Sequence, residues 1–139
     1  MAYHLLALNP QLIFITWERS PHPDEAQAFI NNVERWLNHA PHPLYFLSDL
    51  RQGRIVDIRI INQLSQLTKH PCWGGSTAFS QSPLSKIFVG NFQKMSRTTQ
   101  DVNTFFDLPE QAIEFLETLV PGITHNIDWH AILGLDARV

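Results

Sequence analysis

The sequence predicts a single α/β domain built on a mostly parallel five-stranded sheet, with an antiparallel first strand and four main flanking helices. Three observations carry this prediction. The chain of 139 residues has room for one core, two apolar runs open it as a hairpin, and strand-like runs then alternate with helical apolar stripes. Because strand–helix–strand connections cross over right-handedly, the later strands should lie parallel to one another.

The opening hairpin is predicted from two apolar runs, at residues 5–8 and 12–17, with Pro10 in the turn between them. Apolar residues at helical spacing then predict a first helix over about 24–38. Pro41 ends that helix, and the continuous apolar run 44–47 is typical of a strand that is buried on both faces. We therefore expect this strand at the centre of the sheet.

A polar loop is predicted at 48–53, and a second helix ends near Lys69. Asp57 is placed to cap this helix, and its predicted buried stripe consists of Ile58, Ile61, Leu64 and Leu67. The pair Gly74 and Gly75 is interpreted as a tight turn that leads into a strand at 76–79.

The third helix is predicted to begin with Ser82 as its cap and Pro83 in its first turn. A polar linker at 96–101 and a short strand at 102–106 follow, and Asp107 with Glu110 resembles a capping box for the fourth helix. The predicted buried residues are Leu84, Ile87, Phe88, Phe92 and Met95 in the third helix, and Ala112, Phe115, Leu116 and Leu119 in the fourth.

Composition and charge exclude several classes of protein. The net charge of −3 and the lack of basic runs argue against nucleic-acid binding. Cys72 is the only cysteine, so no internal disulfide can form. No apolar stretch approaches the roughly 20 residues that span a bilayer. We therefore expect a cytoplasmic protein.

No enzymatic motif emerges from the residues. His39 and His42 are separated by Pro41, so they cannot share one helical face as metal ligands do in helical motifs. Ser76 precedes or enters a strand, whereas a nucleophile elbow follows one. No glycine-rich phosphate loop is present. The sequence predicts no catalytic residue, no metal and no cofactor.

A ligand or anion site is the one binding feature that the residues suggest. Open parallel sheets place ligand crevices at the carboxyl ends of their strands, and a helix N-terminus attracts anions. Capping and solvation of the same polar side chains is the competing explanation. The candidate residues are Ser48, Asp49, Arg51, Ser80, Ser82 and Lys86.

Residues 121–139 form a C-terminal tail beyond the predicted domain of residues 1–120. The tail is too apolar for a solvated extension, and Asp128 can cap a short helix with Trp129, Ile132 and Leu133 on one face. We expect the tail to dock on its own domain or on a second subunit. The sequence slightly favours a homodimer.

The order of elements resembles the STAS fold of anti-sigma-factor antagonists over about residues 3–120. The segment 46–50 is similar to the central strand of that family, and Gly53 lies where the family often has glycine. In the same register, the family's aspartate and phosphorylatable serine fall on Asp57, Ile58 and Arg59. The aspartate is kept and the hydroxyl is absent, so no phosphorylation is expected at the start of the second helix.

The STAS resemblance implies a non-enzymatic regulatory domain that binds a protein partner. A second similarity, in architecture only, is to lipid carriers of the CRAL-TRIO type, and it implies a carrier of a small apolar or anionic ligand. These two functions remain open at this point.

Overall fold

The computed structural model describes residues 2–96 and 104–134, apart from the side chains of Met95 and Ser96. Its strands are β1 (Tyr3–Asn9), β2 (Leu12–Trp17), β3 (Leu44–Asp49), β4 (Trp73–Phe79) and β5 (Phe105–Phe106). Its helices are α1 (Pro23–His39), α2 (Ile58–Leu67), α3 (Pro83–Ser96), α4 (Pro109–Leu119) and α5 (Trp129–Leu133).

The five strands form one sheet in the order β1-β2-β3-β4-β5. Strand β1 pairs antiparallel with β2, and every other pairing is parallel. The predicted α/β fold is confirmed, with β3 at the centre of the sheet. Each crossover advances one strand in the same direction, so right-handed connections place α1, α2 and α3 on one face of the sheet. Helices α4 and α5 cover the other face.

Two core clusters lie on the two sides of the sheet. Side chains alternate along each strand, so neighbouring residues of β3 enter different clusters. Phe46 is buried beneath α1 to α3, in what we call the first core. Leu47 is buried with Ala112 and Leu116 of α4, in the second core. Burial on both faces explains why the apolar run in β3 is continuous.

Two sequence predictions around β3 and β4 are wrong. Residues 48 and 49 continue β3 and do not start a loop, because they pair with β4. Gly74 and Gly75 lie within β4 and do not form a turn. A Cβ atom on Gly74 would come within 2.5 Å of Cζ of Tyr45, so glycine is needed here for the close approach of an aromatic ring.

The predicted buried stripes are also partly wrong. Leu84 and Ile87 of α3 are 60% and 62% exposed. Ser85 and Val89 are the buried residues of α3, and the Ser85 hydroxyl donates to the Leu50 carbonyl. Phe88 and Phe92 of the predicted stripe do pack against the first core. Leu119 of α4 is also exposed. In α2, Ile58 is exposed, whereas Ile60 and Ile61 are both buried. The side chain of Met95 lies outside the described residues.

Helix α4 begins one residue later than predicted. Pro109 occupies its first turn, where a missing N–H costs nothing. The Leu108 N–H donates to the side chain of Gln111 at 3.0 Å, so Asp107 and Glu110 do not form the predicted capping box. Of the predicted strand 102–106, residues 105 and 106 form β5, while 102, 103 and the linker residues 97–101 lie outside the described residues.

The segment after α4 packs on the second core. The predicted short helix is present, and its cap Asp128 accepts a hydrogen bond from the Ala131 N–H at 3.2 Å. Ile123 and Leu133 are buried together with Leu116. The carboxylate of Glu117 accepts hydrogen bonds from the N–H groups of residues 122 and 124 and from the hydroxyl of Thr124. These contacts fasten the turn after α4.

The Glu117 contacts predict an acid-sensitive part of the stability. Hydrogen bonds from the Thr124 hydroxyl and from two backbone N–H groups lower the pKa of Glu117 from 4.5 to about 2. A depressed native pKa stabilises the fold above pH 4.5, and this contribution is lost as the pH falls from 4.5 to 2. Glu117→Gln should therefore be less stable than the wild type at pH 7, by a margin that shrinks across this range. Urea denaturation at a series of pH values measures the margin.

The matched control for this prediction is Glu114→Gln, on an exposed position of the same helix. It should leave the acid sensitivity unchanged. A Glu117→Gln variant with the same stability as the wild type at pH 7 would contradict the assignment.

Candidate functional site

The carboxyl ends of the parallel strands carry a charged pair at the end of β3. Asp49 is buried, and the Arg51 guanidinium donates to both of its carboxylate oxygens, with Nε–Oδ1 at 2.9 Å and Nη2–Oδ2 at 2.8 Å. Such two-point contacts are among the strongest hydrogen bonds between side chains. The hydrogen bonds to Asp49 raise the pKa of Arg51, so the guanidinium stays charged.

The same guanidinium is engaged on two further sides. It donates to the Leu133 carbonyl at 3.0 Å, and it lies 5.3 Å from the ring centroid of Phe79. Arg51 therefore ties the central strand to α5. Because Nε and Nη2 of the guanidinium already donate to Asp49 and Leu133, we assign the pair a positioning role within the fold.

A second cluster joins the loop before α2 to the first turn of α3. The Arg54 guanidinium donates to Ser85 at 3.1 Å and to Ser82 at 3.4 Å. Ser80 is fully buried, and its hydroxyl accepts from the Ser82 N–H at 3.0 Å. These contacts hold the segment around residue 54 against α3. Arg54 is not among the residues predicted from the sequence, where its only signal is its place among the arginines that follow β3.

The structure does not bring the six predicted ligand residues together. Ser48 faces the first core, whereas the side chain of Asp49 points to the opposite side of the sheet. Ser80 and Ser82 lie at the start of α3, and Lys86 is 3.5 Å from the carboxylate of Asp107. The anion site at 82–86 thus remains a prediction, and the polar groups there have contacts within the protein.

The head of α2 has a defined geometry. The Asp57 side chain caps the helix by accepting from the Arg59 N–H at 2.9 Å, and the Arg59 guanidinium donates back to it at 3.1 Å. The hydrogen bond from the Arg59 side chain is the main reason why the pKa of Asp57 is lowered. Ile58 lies between them, and its side chain is 49% exposed.

Large aliphatic side chains are exposed around the head of α2. Val56 is 67% exposed, and Leu84 and Ile87 are exposed on α3, which packs against α2. The hydrogen bonds of Arg54 to Ser82 and Ser85 connect the loop that carries Val56 to the start of α3. We call Val56, Ile58, Leu84 and Ile87 the α2–α3 apolar surface. One signal was present in the sequence, because α3 has more apolar residues than a single stripe can bury.

The described part of the chain, residues 2–96 and 104–134, holds neither a metal site nor a membrane-spanning helix. Within it, no three His, Cys, Asp or Glu side chains come together as a metal site requires. None of the helices in these ranges is long and apolar enough to cross a bilayer.

Comparison with known proteins identifies the fold. No protein-family model matches the sequence, and no curated protein matches it. Among solved structures, the anti-sigma factor antagonist SpoIIAA in its unphosphorylated form is similar, with a TM-score of 0.63 over 86% of this chain and 99% of that one. The chain has a STAS-like fold. At 11% identity, the likeness between the STAS-like chain and SpoIIAA is one of architecture.

Proposed function

We propose that this STAS-like chain is a non-enzymatic regulatory domain that binds a protein partner through the α2–α3 apolar surface. The observation that carries the proposal is the exposure of four aliphatic side chains at the head of α2 and on α3, in a fold shared with an anti-sigma factor antagonist. We expect the four side chains to form one patch because α2 and α3 pack against each other, and clustered apolar exposure is a mark of interaction sites.

The energetics of the surface favour a macromolecular partner. Covering a large aliphatic side chain contributes roughly 1.5 to 3 kcal/mol, so several such residues supply enough for a specific contact. Arg59 is charged and highly exposed beside them, as in the polar rim of an interface. Three of the four residues lie on α2 or α3, so their backbone loses little conformational entropy on binding.

We further propose that regulation does not involve phosphorylation at the head of α2. Ile58 has no oxygen to accept a phosphoryl group. The first hydroxyl along α2 is on Ser65, which is fully buried and donates to the Asn62 carbonyl at 2.6 Å. A shift of the resemblance by several residues would therefore still not provide an accessible acceptor on this helix.

The test is affinity capture with the variant Ile58→Asp. An acidic residue in the first helical turn is favourable for the helix, so the free energy of unfolding should change by no more than about 0.5 kcal/mol. We expect wild-type protein to retain a partner from the cells that produce it, and Ile58→Asp to lose that partner. Mass spectrometry of the captured proteins measures the difference.

The matched control is Leu6→Asp on the edge strand β1, because Leu6 is 50% exposed and pairs with Phe14, which faces the second core on the side of the sheet opposite α2. It should retain the partner. Equal capture by all three proteins would contradict the proposed surface. Phosphate incorporated between residues 57 and 62 would contradict the absence of the switch.

A further inference from the structure

A partly open cavity lies inside the first core, between the sheet and helices α2 and α3. Its volume is about 60 Å³. Aromatic rings form much of its wall, including Phe46 stacked on Trp73 and Phe88 stacked on Phe92. Well-packed cores leave few voids larger than a water molecule, so a cavity of this size in an apolar wall is unusual.

Four residues with hydroxyl groups line the cavity, and the hydroxyls of Thr77 and Thr104 already take part in hydrogen bonds. The other two are Ser48 of β3 and Ser76 of β4, whose side chains make no hydrogen bond among the described residues. No Asp, Glu, Lys, Arg or His from the described residues lines the cavity. A charged ligand group would therefore lose its hydration without compensation, whereas a neutral oxygen could bond to the serines.

We propose that this cavity binds the end of a small, uncharged aliphatic molecule that carries a hydroxyl group. A water molecule needs about 10–15 Å³ in such a cavity, so a volume of 60 Å³ accepts a short chain of several heavy atoms. Apolar sites of this kind with a few polar groups are typical small-molecule sites. The site is buried under α3 and is distinct from the α2–α3 apolar surface.

The test is a titration with 1-pentanol, followed by the indole N–H signals in nuclear magnetic resonance. Trp17 and Trp73 line the cavity, whereas Trp36 and Trp129 do not, so the chain contains its own reference signals. We expect saturable shifts at Trp17 and Trp73 and none at the other two. Pentanoate, which has the same number of carbons and a negative charge, should cause no saturable shift at any of them.

Ala78→Leu should fill the cavity and abolish the pentanol shifts, because Ala78 is part of its wall. Ala7→Leu makes the same change at an exposed position of β1 and should keep the shifts. Val89→Phe fills the cavity from α3 and replaces Ala78→Leu if circular dichroism shows that variant to be unfolded.

A double variant tests whether the hydroxyls of Ser48 and Ser76 contribute to binding. Ser48→Ala combined with Ser76→Ala should weaken pentanol binding while the indole signals of the free protein stay dispersed. The proposal is overturned if pentanol gives no saturable shift, if the filled variants bind it as the wild type does, or if pentanoate binds equally well.

Discussion

Removal of residues 123–139 is expected to lower the free energy of unfolding by about 3 to 6 kcal/mol. Ile123 and Leu133 are both buried in the second core, and each contributes roughly 1.5 to 3 kcal/mol by leaving water. Truncation also exposes Leu116 and removes the Leu133 carbonyl that accepts from Arg51. Urea denaturation of the full chain and of the truncated chain measures this loss.

The control for the truncation is Leu119→Ala, because Leu119 is on α4 but exposed. It should cost about 1 kcal/mol or less. Unchanged stability after truncation would contradict the packing of the tail.

The homodimer predicted from the sequence stays a prediction, and the solution mass of both proteins tests it. A mass that falls from dimer to monomer on truncation would place the tail at the subunit contact.

Gly53→Ala is expected to lower the free energy of unfolding by about 3 kcal/mol, the largest loss among the Gly→Ala substitutions. A Cβ atom on Gly53 would lie 2.5 Å from the carbonyl carbon and oxygen of Arg19. These are backbone atoms, so the loop after β2 or the loop after β3 must move. The close approach gives a physical reason for a glycine at this position of the STAS-like fold. Thermal and urea denaturation measure the loss.

Gly90→Ala is the matched control, and it should raise the free energy of unfolding. Gly90 lies inside α3, and a Cβ there would meet nothing within 4 Å. Alanine in a helix interior is favoured over glycine by about 0.5 to 1 kcal/mol. A Gly53→Ala variant as stable as the wild type would show that the two loops are not in contact.

Most of the fold could be predicted because the spacing of apolar residues and the positions of turn and capping residues are local properties of the sequence. The hairpin around Pro10, the cap Asp57 and the continuous strand β3 are all visible in short windows. The errors have a tertiary cause. Gly74 lies against the ring of Tyr45 from the neighbouring strand. Ser85 of α3 faces inward, where its hydroxyl donates to the Leu50 carbonyl.

The candidate site was less predictable for the same reason. Asp49 and Arg51 do interact, which their spacing of two residues allowed. The predicted loop at 48–53 places Ser48 beside Asp49 and Arg51. In the structure β3 extends to Asp49, so the adjacent side chains of Ser48 and Asp49 point to opposite faces of the sheet. The contacts of Arg54 and the α2–α3 apolar surface depend on how α2 and α3 pack, and the sequence indicates only that α3 has more apolar residues than one stripe can bury.

Binding of a protein partner through the α2–α3 apolar surface is the activity that we propose for the STAS-like chain. The dissociation constant of the captured partner, measured by titration calorimetry with the wild type, Ile58→Asp and Leu6→Asp, tests it most directly. We predict binding at least about tenfold weaker for Ile58→Asp, because one buried aliphatic contact of 1.4 kcal/mol or more is lost, and no change for Leu6→Asp. Equal dissociation constants for the wild type and Ile58→Asp would contradict the claim.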